Sequence, residues 1–245
     1  MRIPRIYLPI PLKENDTTIV LDAVSSNYVL NVLRLPIDSS LILFNGEDVE
    51  FASKLTAIAN KNAIVKIEKF QSVNRESSIR IHLIQGISRG EKMDFTIQKA
   101  VELGVTSITP LFTEYCNVKL EGDRLQKRVE HWQRVAVSAS EQCGRCKVPE
   151  ILPAQKIDKL IALPKKGLHI VLDPKSSNKL SDCKKDDLAN EFTLIIGPEG
   201  GLSCLEIELL QKNNFLGLNL GPRILRTETA ALVAISVLQC MYGDI

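Results

Sequence analysis

Two glycine-bearing loops near the C-terminus carry the residues best suited to chemistry. The first is Gly-Pro-Glu-Gly-Gly at positions 197–201, directly after the apolar run Thr193–Ile196. The second covers 221–228, follows Leu218–Leu220 and ends in Arg226, Thr227 and Glu228. Glycine lets a ligand approach the backbone and hydrogen-bond to its N–H and C=O groups. Each loop alone is better explained as ordinary turn chemistry, but the pair predicts a binding site.

These loops lie in a part of the chain where strands and helices alternate. Such alternation predicts an α/β domain with a mainly parallel sheet, and ligands bind such sheets outside the carboxyl ends of the strands. Both loops occupy that position. The predicted strands are Ile79–Ile84, Val105–Leu111, His169–Leu172, Thr193–Ile196 and Phe215–Leu220; the predicted helices are Glu91–Leu103, a long helix from Asp123, one from a capping box at Ser203, and Thr229–Met241.

The first 72 residues have a different pattern. Short strands separated by tight turns at Asn45-Gly46 and Asn60–Asn62 predict a small β-barrel. A short helix is expected at Ser26–Leu33, capped by Ser25 or Ser26. The polar segment Ser72–Ser78 is interpreted as a linker, which divides the chain into domains at 1–72 and 73–245.

Composition is that of an ordinary globular protein. Of 245 residues, 44% are hydrophobic and 24% charged, and the net charge of +2 neither requires nor excludes nucleic acid. Apolar runs stay short of the ~20 residues that span a bilayer, and the start of the chain lacks a signal-peptide core. These features predict a cytoplasmic protein without a membrane segment.

Six cysteines are then expected to be reduced. Cys143 and Cys146 form a single Cys-x-x-Cys pair, and the histidines, at 82, 131 and 169, are scattered. A second metal-binding pair is lacking, so we interpret the two thiols as incidental and expect no metal. Dinucleotide and Walker A fingerprints are also missing from the sequence, which disfavours a dinucleotide-dependent enzyme.

The two loops resemble a known family. The segments Ile196–Gly201 and Leu220–Ala230 are similar to the RsmE family, 16S ribosomal RNA uridine-N3 methyltransferases of the SPOUT superfamily. The likeness spans the whole chain. Its N-terminal parts, which resemble a PUA-like domain, are Met1–Arg5, Val32–Arg34 and Phe44–Gly46; its catalytic-domain parts are Lys92, Lys99, Glu102–Val105 and Ser140–Arg145. Members often have histidine where this chain has Ser26–Tyr28, a departure that bears on RNA contacts.

The resemblance implies a SPOUT-type, trefoil-knotted C-terminal domain with a parallel sheet, beside a small PUA-like β-barrel. It also implies S-adenosyl-L-methionine as cofactor, bound in a bent pose by backbone groups and apolar side chains. The cofactor-binding residues implied are Leu172, Ile196, Gly197, Pro198, Glu199, Gly200, Gly201, Leu220, Gly221, Ile224, Leu225 and Thr229.

Methylation of uridine N3 requires loss of the N3 proton, and a nearby cation would stabilise the anion that results. By motif position, Arg226 is the first candidate for that cation and Arg145 the second. Glu228 or Glu141 would orient an arginine or act as base. Surface salt bridges explain either carboxylate equally well.

The implied substrate is 16S ribosomal RNA, free or in an assembled small subunit. Candidate RNA contacts are Arg2, Arg5, Arg34 and Lys92. The basic residues of the helix after Asp123 are better explained as a solvated face.

The last helix is apolar from Ala230 to Met241 except at Ser236 and Gln239. Such a helix must be buried, and either one subunit or a dimer can bury it. The resemblance implies a homodimer. Two alternative functions remain: an RNA methyltransferase with another base or a ribose as target, and a non-catalytic RNA-binding or ribosome-assembly protein.

Overall fold

The computed structural model describes residues 3–13, 17–118, 120–162, 166–180 and 190–245. These residues form two compact units. The N-terminal unit consists of the described residues of Met1–Glu76 together with Ser140–Val148, and the C-terminal unit of those of Ser77–Ala139 and Pro149–Ile245. The domain boundary between residues 72 and 73 stays a prediction.

A five-stranded sheet builds the N-terminal unit. Its order is β1-β3-β4-β5-β2, with β1 parallel to β3 and the other pairs antiparallel. Inward side chains such as Leu43, Phe51 and Val65 are fully buried and form its core. The strands are β1 (Arg5–Tyr7), β2 (Thr18–Val20), β3 (Ser40–Phe44), β4 (Val49–Ala59) and β5 (Asn62–Ser72).

Both predicted hairpin turns of this unit are confirmed. Gly46 has a φ of 94° in the turn between β3 and β4. Asn60 and Lys61, with φ of 50° and 68°, join β4 to β5 as a two-residue turn. Positive φ at both central residues gives the turn a twist that matches the flanking strands.

The predicted N-cap of the first helix is wrong. Helix α1 is Ala23–Asn27, and Asp22 caps it by accepting a hydrogen bond of 2.7 Å from the Ser25 backbone N–H. A single π-helical turn, Tyr28–Val32, continues from it. The aspartate precedes both serines and accepts from one of the free N–H groups of the first turn, so Asp22 is the cap and neither serine is.

A parallel sheet builds the C-terminal unit, as predicted. Its order is β12-β10-β11-β6-β7-β8, and β9 also pairs with β7. The strands are β6 (Arg80–Gly86), β7 (Ser107–Phe112), β8 (Glu150–Ile151), β9 (Gln155–Lys156), β10 (Leu168–Leu172), β11 (Glu191–Ile196) and β12 (Leu216–Leu218).

Helices pack against this sheet. Helix α2 (Glu91–Glu102) contacts α6 (Thr227–Tyr242), and α6 contacts β11. Helix α5 (Cys204–Lys212) contacts β10, β12 and α4 (Ile157–Ile161). The remaining helix is α3, Gly122–Cys143. Met93, Ile97, Ala100 and Val101 are buried and form the apolar face of α2.

Helix α6 begins two residues earlier than the sequence predicted. Ala231, Ala234, Ile235 and Leu238 are buried, but Val233 is 36% exposed. The chain therefore does not bury every side of this helix. Within the described ranges, none of the helices has the length and apolar character needed to cross a membrane. The predicted trefoil knot and homodimer stay predictions.

Candidate functional site

A cavity of about 1050 Å³ opens at the carboxyl ends of β10 and β11. Three loops surround it, one after each of β10, β11 and β12. Its lining combines backbone, apolar and charged groups. The lining residues are Lys92, Leu172–Lys175, Ile196–Leu202, Cys204, Ile207, Glu208, Gln211, Pro222, Ile224–Thr227 and Ala230.

The loop after β11 requires glycine for two separate reasons. A Cβ on Gly197 would lie 2.7 Å from the Gly201 carbonyl carbon, and a Cβ on Gly200 would lie 2.8 Å from Cβ of Tyr115. Gly201 itself has a φ of 73° and donates its N–H to Pro198 O at 2.9 Å. The loop is a tight turn whose backbone faces the cavity.

The loop after β12 is fixed by Asn219. Its Oδ1 accepts from the Gly221 N–H at 3.0 Å, and its Nδ2 donates to Ser176 O at 2.5 Å. Gly221 has a φ of 100°, which favours glycine. Leu220 and Gly221, predicted cofactor contacts, border a small adjoining cavity of about 50 Å³ shared with Leu172.

Three cations line the main cavity among the described residues: Lys92, Lys175 and Arg226. Arg226 is exposed and is the N-cap residue of α6. Lys92 pairs with Glu199, with Nζ 3.3 Å from Oε1. Burial alone raises the pKa of Glu199, but hydrogen bonds from its own and the Arg89 backbone and from Lys92 hold that pKa below its ordinary value. Glu199 is therefore a carboxylate at neutral pH.

Glu228 and Thr229, two other predicted site residues at the start of α6, are placed differently from Arg226. Glu228 is in the first turn of α6, and its Oε2 is buried without a hydrogen-bond partner among the described residues. Thr229 is exposed and does not line the cavity, whereas Thr227 is buried and does. The earlier helix start explains this exchange, because it turns Thr227 toward the loop after β11.

The other two catalytic candidates lie in the N-terminal unit. Arg145 is 6% exposed and pairs with Glu76, with Nη2 2.5 Å from Oε2. Glu141 accepts a hydrogen bond of 3.0 Å from the Tyr7 backbone N–H. Burial raises the pKa of Glu141, which the Tyr7 hydrogen bond and the charge of Arg5 partly offset. Both side chains are engaged within that unit.

Candidate RNA contacts differ in exposure. Arg5 is buried, pairs with Glu50, and donates from Nη2 to Arg145 O at 2.9 Å. Its guanidinium is thus used internally and is not available to phosphate in this conformation. Arg34 is exposed, with a φ of 53°. Arg2 lies outside the described residues.

Sequence reasoning missed part of the lining. The loop Asp173–Lys175 follows β10, and the Asp-Pro pair there is a turn signal that could have identified it. Cys204, Ile207, Glu208 and Gln211 project from α5. A helix face carries no such local signal, so these four required the fold.

Comparisons with known proteins agree with this architecture. Residues 75–239 match the RNA methyltransferase domain family, and residues 22–68 match the RNA methyltransferase PUA domain family. Ribosomal RNA small subunit methyltransferase E of Buchnera aphidicola subsp. Schizaphis graminum is 40% identical over 250 residues, which covers 100% of this chain and 98% of that protein.

Two solved structures extend the comparison. A methyltransferase from Legionella pneumophila in complex with S-adenosylmethionine has a TM-score of 0.94 and 40% identity, with 100% of both chains covered. Ribosomal RNA small subunit methyltransferase E from Neisseria gonorrhoeae, bound to S-adenosyl methionine, has a TM-score of 0.91 and 36% identity, again with 100% of both chains covered. The predicted α/β fold with a parallel sheet and an N-terminal PUA domain is confirmed, and so is the predicted family: the chain belongs to the RsmE family of ribosomal RNA small subunit methyltransferases.

Proposed function

We propose that this chain is an S-adenosylmethionine-dependent methyltransferase that modifies N3 of a uridine in 16S ribosomal RNA. The observation that carries the proposal is the cavity bounded by both glycine-bearing loops in the RNA methyltransferase domain. Relatives that share the fold over their whole length bind the same cofactor. Because its substrate is ribosomal RNA, we infer that the enzyme works in the cytoplasm.

The residues around the cavity fit S-adenosylmethionine. Apolar Leu172, Ile196 and Leu225 suit an adenine ring, and the close-packed backbone of the 197–201 loop offers hydrogen-bonding groups. Carboxylates of Asp173, Glu199 and Glu208 lie on the same lining and suit the ribose hydroxyls and the ammonium group. A mostly apolar pocket with a few polar groups is typical of cofactor sites.

Bound S-adenosylmethionine supplies an electrophilic methyl group to uridine N3 and leaves as S-adenosylhomocysteine. Within the chain, Arg226 is the residue best placed to stabilise the uracil anion that forms when N3 loses its proton. Its side chain is exposed at the cavity, and its position at the N-terminus of α6 adds the positive end of the helix dipole.

Glu228 is the candidate to orient Arg226 or to accept the proton. It lies two residues along α6, and its buried Oε2 has no hydrogen-bond partner in the described part of the chain. Burying an acceptor without a hydrogen bond costs free energy, and a hydrogen bond donated by the substrate or by a rotated Arg226 would remove that cost. Arg145 and Glu141 are secondary candidates, because their side chains are engaged by Glu76 and Tyr7.

RNA recognition is assigned to the N-terminal domain, residues 1–72, together with Lys92. Arg34 is exposed there, and the PUA match covers 22–68. Free 16S ribosomal RNA and an assembled small subunit are both candidate substrates. Methylation assays on each, with the modified nucleoside identified by mass spectrometry, distinguish them and test the N3 position against another base atom or a ribose.

A homodimer is the assembly we propose. Val233 and Cys240 on α6 are exposed, as is Ile224 in the loop before it. A second copy would cover these side chains and complete the burial that the apolar sequence of α6 requires. Sedimentation at micromolar concentration should give twice the chain mass; the 27.3 kDa of one chain would contradict the dimer.

The catalytic assignment is tested with Arg226→Ala. We expect methyl transfer to fall at least about 100-fold, the effect of removing one donor to a developing anion, while calorimetry shows S-adenosylmethionine still binding. Arg80→Ala is the matched control, since Arg80 is an exposed arginine at the amino end of β6, whereas the cavity opens at the carboxyl ends of the parallel strands. Unchanged transfer in Arg226→Ala would refute the role.

A further inference from the structure

Gln85 is a fully buried glutamine at the end of β6, 0% exposed, that does not line the cavity. Its Nε2 donates to Thr227 Oγ1 at 2.8 Å and to Gly86 O at 3.2 Å. Its Oε1 is buried and has no hydrogen-bond partner among the described residues. The amide nitrogen therefore makes the hydrogen bonds that fix this side chain.

Thr227 passes that constraint on to the other loop. Its hydroxyl donates to Gly197 O at 2.6 Å. This hydrogen bond connects the start of α6 to the end of β11. A hydroxyl has one proton, so a Thr227 that donates to Gly197 must accept from Gln85. The direction of both hydrogen bonds is thus set, and it requires a donor at position 85.

The neighbouring residue packs against the same loop. A Cβ on Gly86 would lie 2.3 Å from Pro198 N, so the backbone of β6 touches the loop directly. The end of β6 is consequently in contact with one cofactor loop through Gly86 and with the start of α6 through Gln85.

We propose that Gln85 is a positioning residue for cofactor binding. Acting through Thr227, it holds the 197–201 loop and the N-terminus of α6 at the separation that the cofactor requires. This inference rests on the proposed function. This role differs from a merely structural one because the Gln85 amide connects two walls of one cavity. Reversing the direction of its hydrogen bond to Thr227 would displace those walls before it unfolded the domain.

Gln85→Glu tests the direction of the hydrogen bonds with little change in shape. A carboxylate would accept the Thr227 proton and leave Gly197 O without its donor. Gln239→Glu is the matched control: Gln239 is also 0% exposed in this unit, donates to Leu103 O at 2.8 Å, and lies away from the cavity lining. We expect both variants to lower the melting temperature.

Calorimetric titration with S-adenosylmethionine then separates them. Gln85→Glu should raise the dissociation constant about tenfold, the worth of one well-made hydrogen bond, and Gln239→Glu should leave it at the wild-type value. Equal affinity in wild type and Gln85→Glu, or an equal loss in both variants, would overturn the inference. A wild-type protein that binds no S-adenosylmethionine would instead refute the proposed function.

Thr227 provides a second test that does not bury a charge. Thr227→Val removes the hydroxyl at constant shape, and Thr227→Ser restores it. We expect KM for S-adenosylmethionine to rise about tenfold in Thr227→Val with a smaller change in kcat, and to recover in Thr227→Ser. Wild-type KM in Thr227→Val would contradict the proposal even if Gln85→Glu failed to fold.

Discussion

Lys92 and Glu199 form an ion pair at the rim of the cavity, with 3.3 Å between Nζ and Oε1. The same oxygen accepts the Arg89 backbone N–H at 3.1 Å. Glu199 thus ties the loop after β11 to the residues at the start of α2. Lys92 is 42% exposed, so it is held by Glu199 and still open to an RNA phosphate.

Lys92→Met should weaken binding to 16S ribosomal RNA and make it less dependent on salt. Each phosphate contact contributes about one to the slope of log K against log salt, so the slope should fall by about one. Filter binding at several salt concentrations measures the slope.

Lys99→Met is the control for this change, since Lys99 is on the same helix, pairs with Glu102 at 2.8 Å and does not line the cavity. The pKa of Glu199 is lowered, so its charge is present above the ordinary carboxyl range and is lost only as pH falls through that lowered value. The effect of Lys92→Met should therefore be constant between about pH 6 and 9. Equal slopes in Lys92→Met and Lys99→Met would exclude the phosphate contact.

Arg145→Ala should destabilise the protein strongly. It leaves the Glu76 carboxylate, 15% exposed, without its partner. Removing one partner of a buried ion pair lowers the free energy of unfolding by about 3–5 kcal/mol. Arg145→Met combined with Glu76→Leu removes both charges and should recover most of that free energy. Urea unfolding followed by circular dichroism measures both variants.

The double variant also decides whether Arg145 is catalytic. If the pair is structural, methyl transfer should return together with stability. If Arg145 stabilises the reacting uracil, transfer should stay low in a protein that unfolds at the wild-type urea concentration. The contacts with Glu76 lead us to expect recovery.

Local sequence signals predicted the elements that depend on neighbouring residues. Ser203 caps α5 by the predicted capping box, with Ser203 N to Glu206 Oε2 at 2.8 Å and Glu206 N to Ser203 Oγ at 3.2 Å. The glycine loops were recognisable as a site because two of them follow predicted strands of one α/β domain. Family resemblance supplied the cofactor and the reaction class, which the residues alone did not.

Long-range contacts explain what the sequence did not show. Residues 140–148 join the N-terminal unit through contacts such as Arg145 with Glu76, 69 positions apart. Strands β8 and β9 have two residues each and α4 has five, too short for any periodicity. Gln85 lay just beyond the predicted strand Ile79–Ile84, and its partner Thr227 lies 142 positions away.

His82 should make folding stability depend on pH. It lies in β6 with Nδ1 2.6 Å from Ser107 Oγ and Nε2 3.0 Å from Thr109 Oγ1. Burial lowers the pKa of His82 from 6.5 to about 4. Between those two pH values the unfolded chain therefore binds a proton that the folded chain does not. The free energy of unfolding is at its full value above pH 6.5 and falls as the pH drops toward 4.

The expected loss is about 3 kcal/mol over that window, since one pKa unit corresponds to about 1.4 kcal/mol. His82→Asn keeps a polar side chain that can bond one of the two hydroxyls, but it does not titrate. Its free energy of unfolding should be lower than that of the wild type at pH 7.5 and should fall less steeply between pH 6.5 and 4.5. Urea titrations at three pH values give both slopes, and parallel slopes would show that His82 does not carry this dependence.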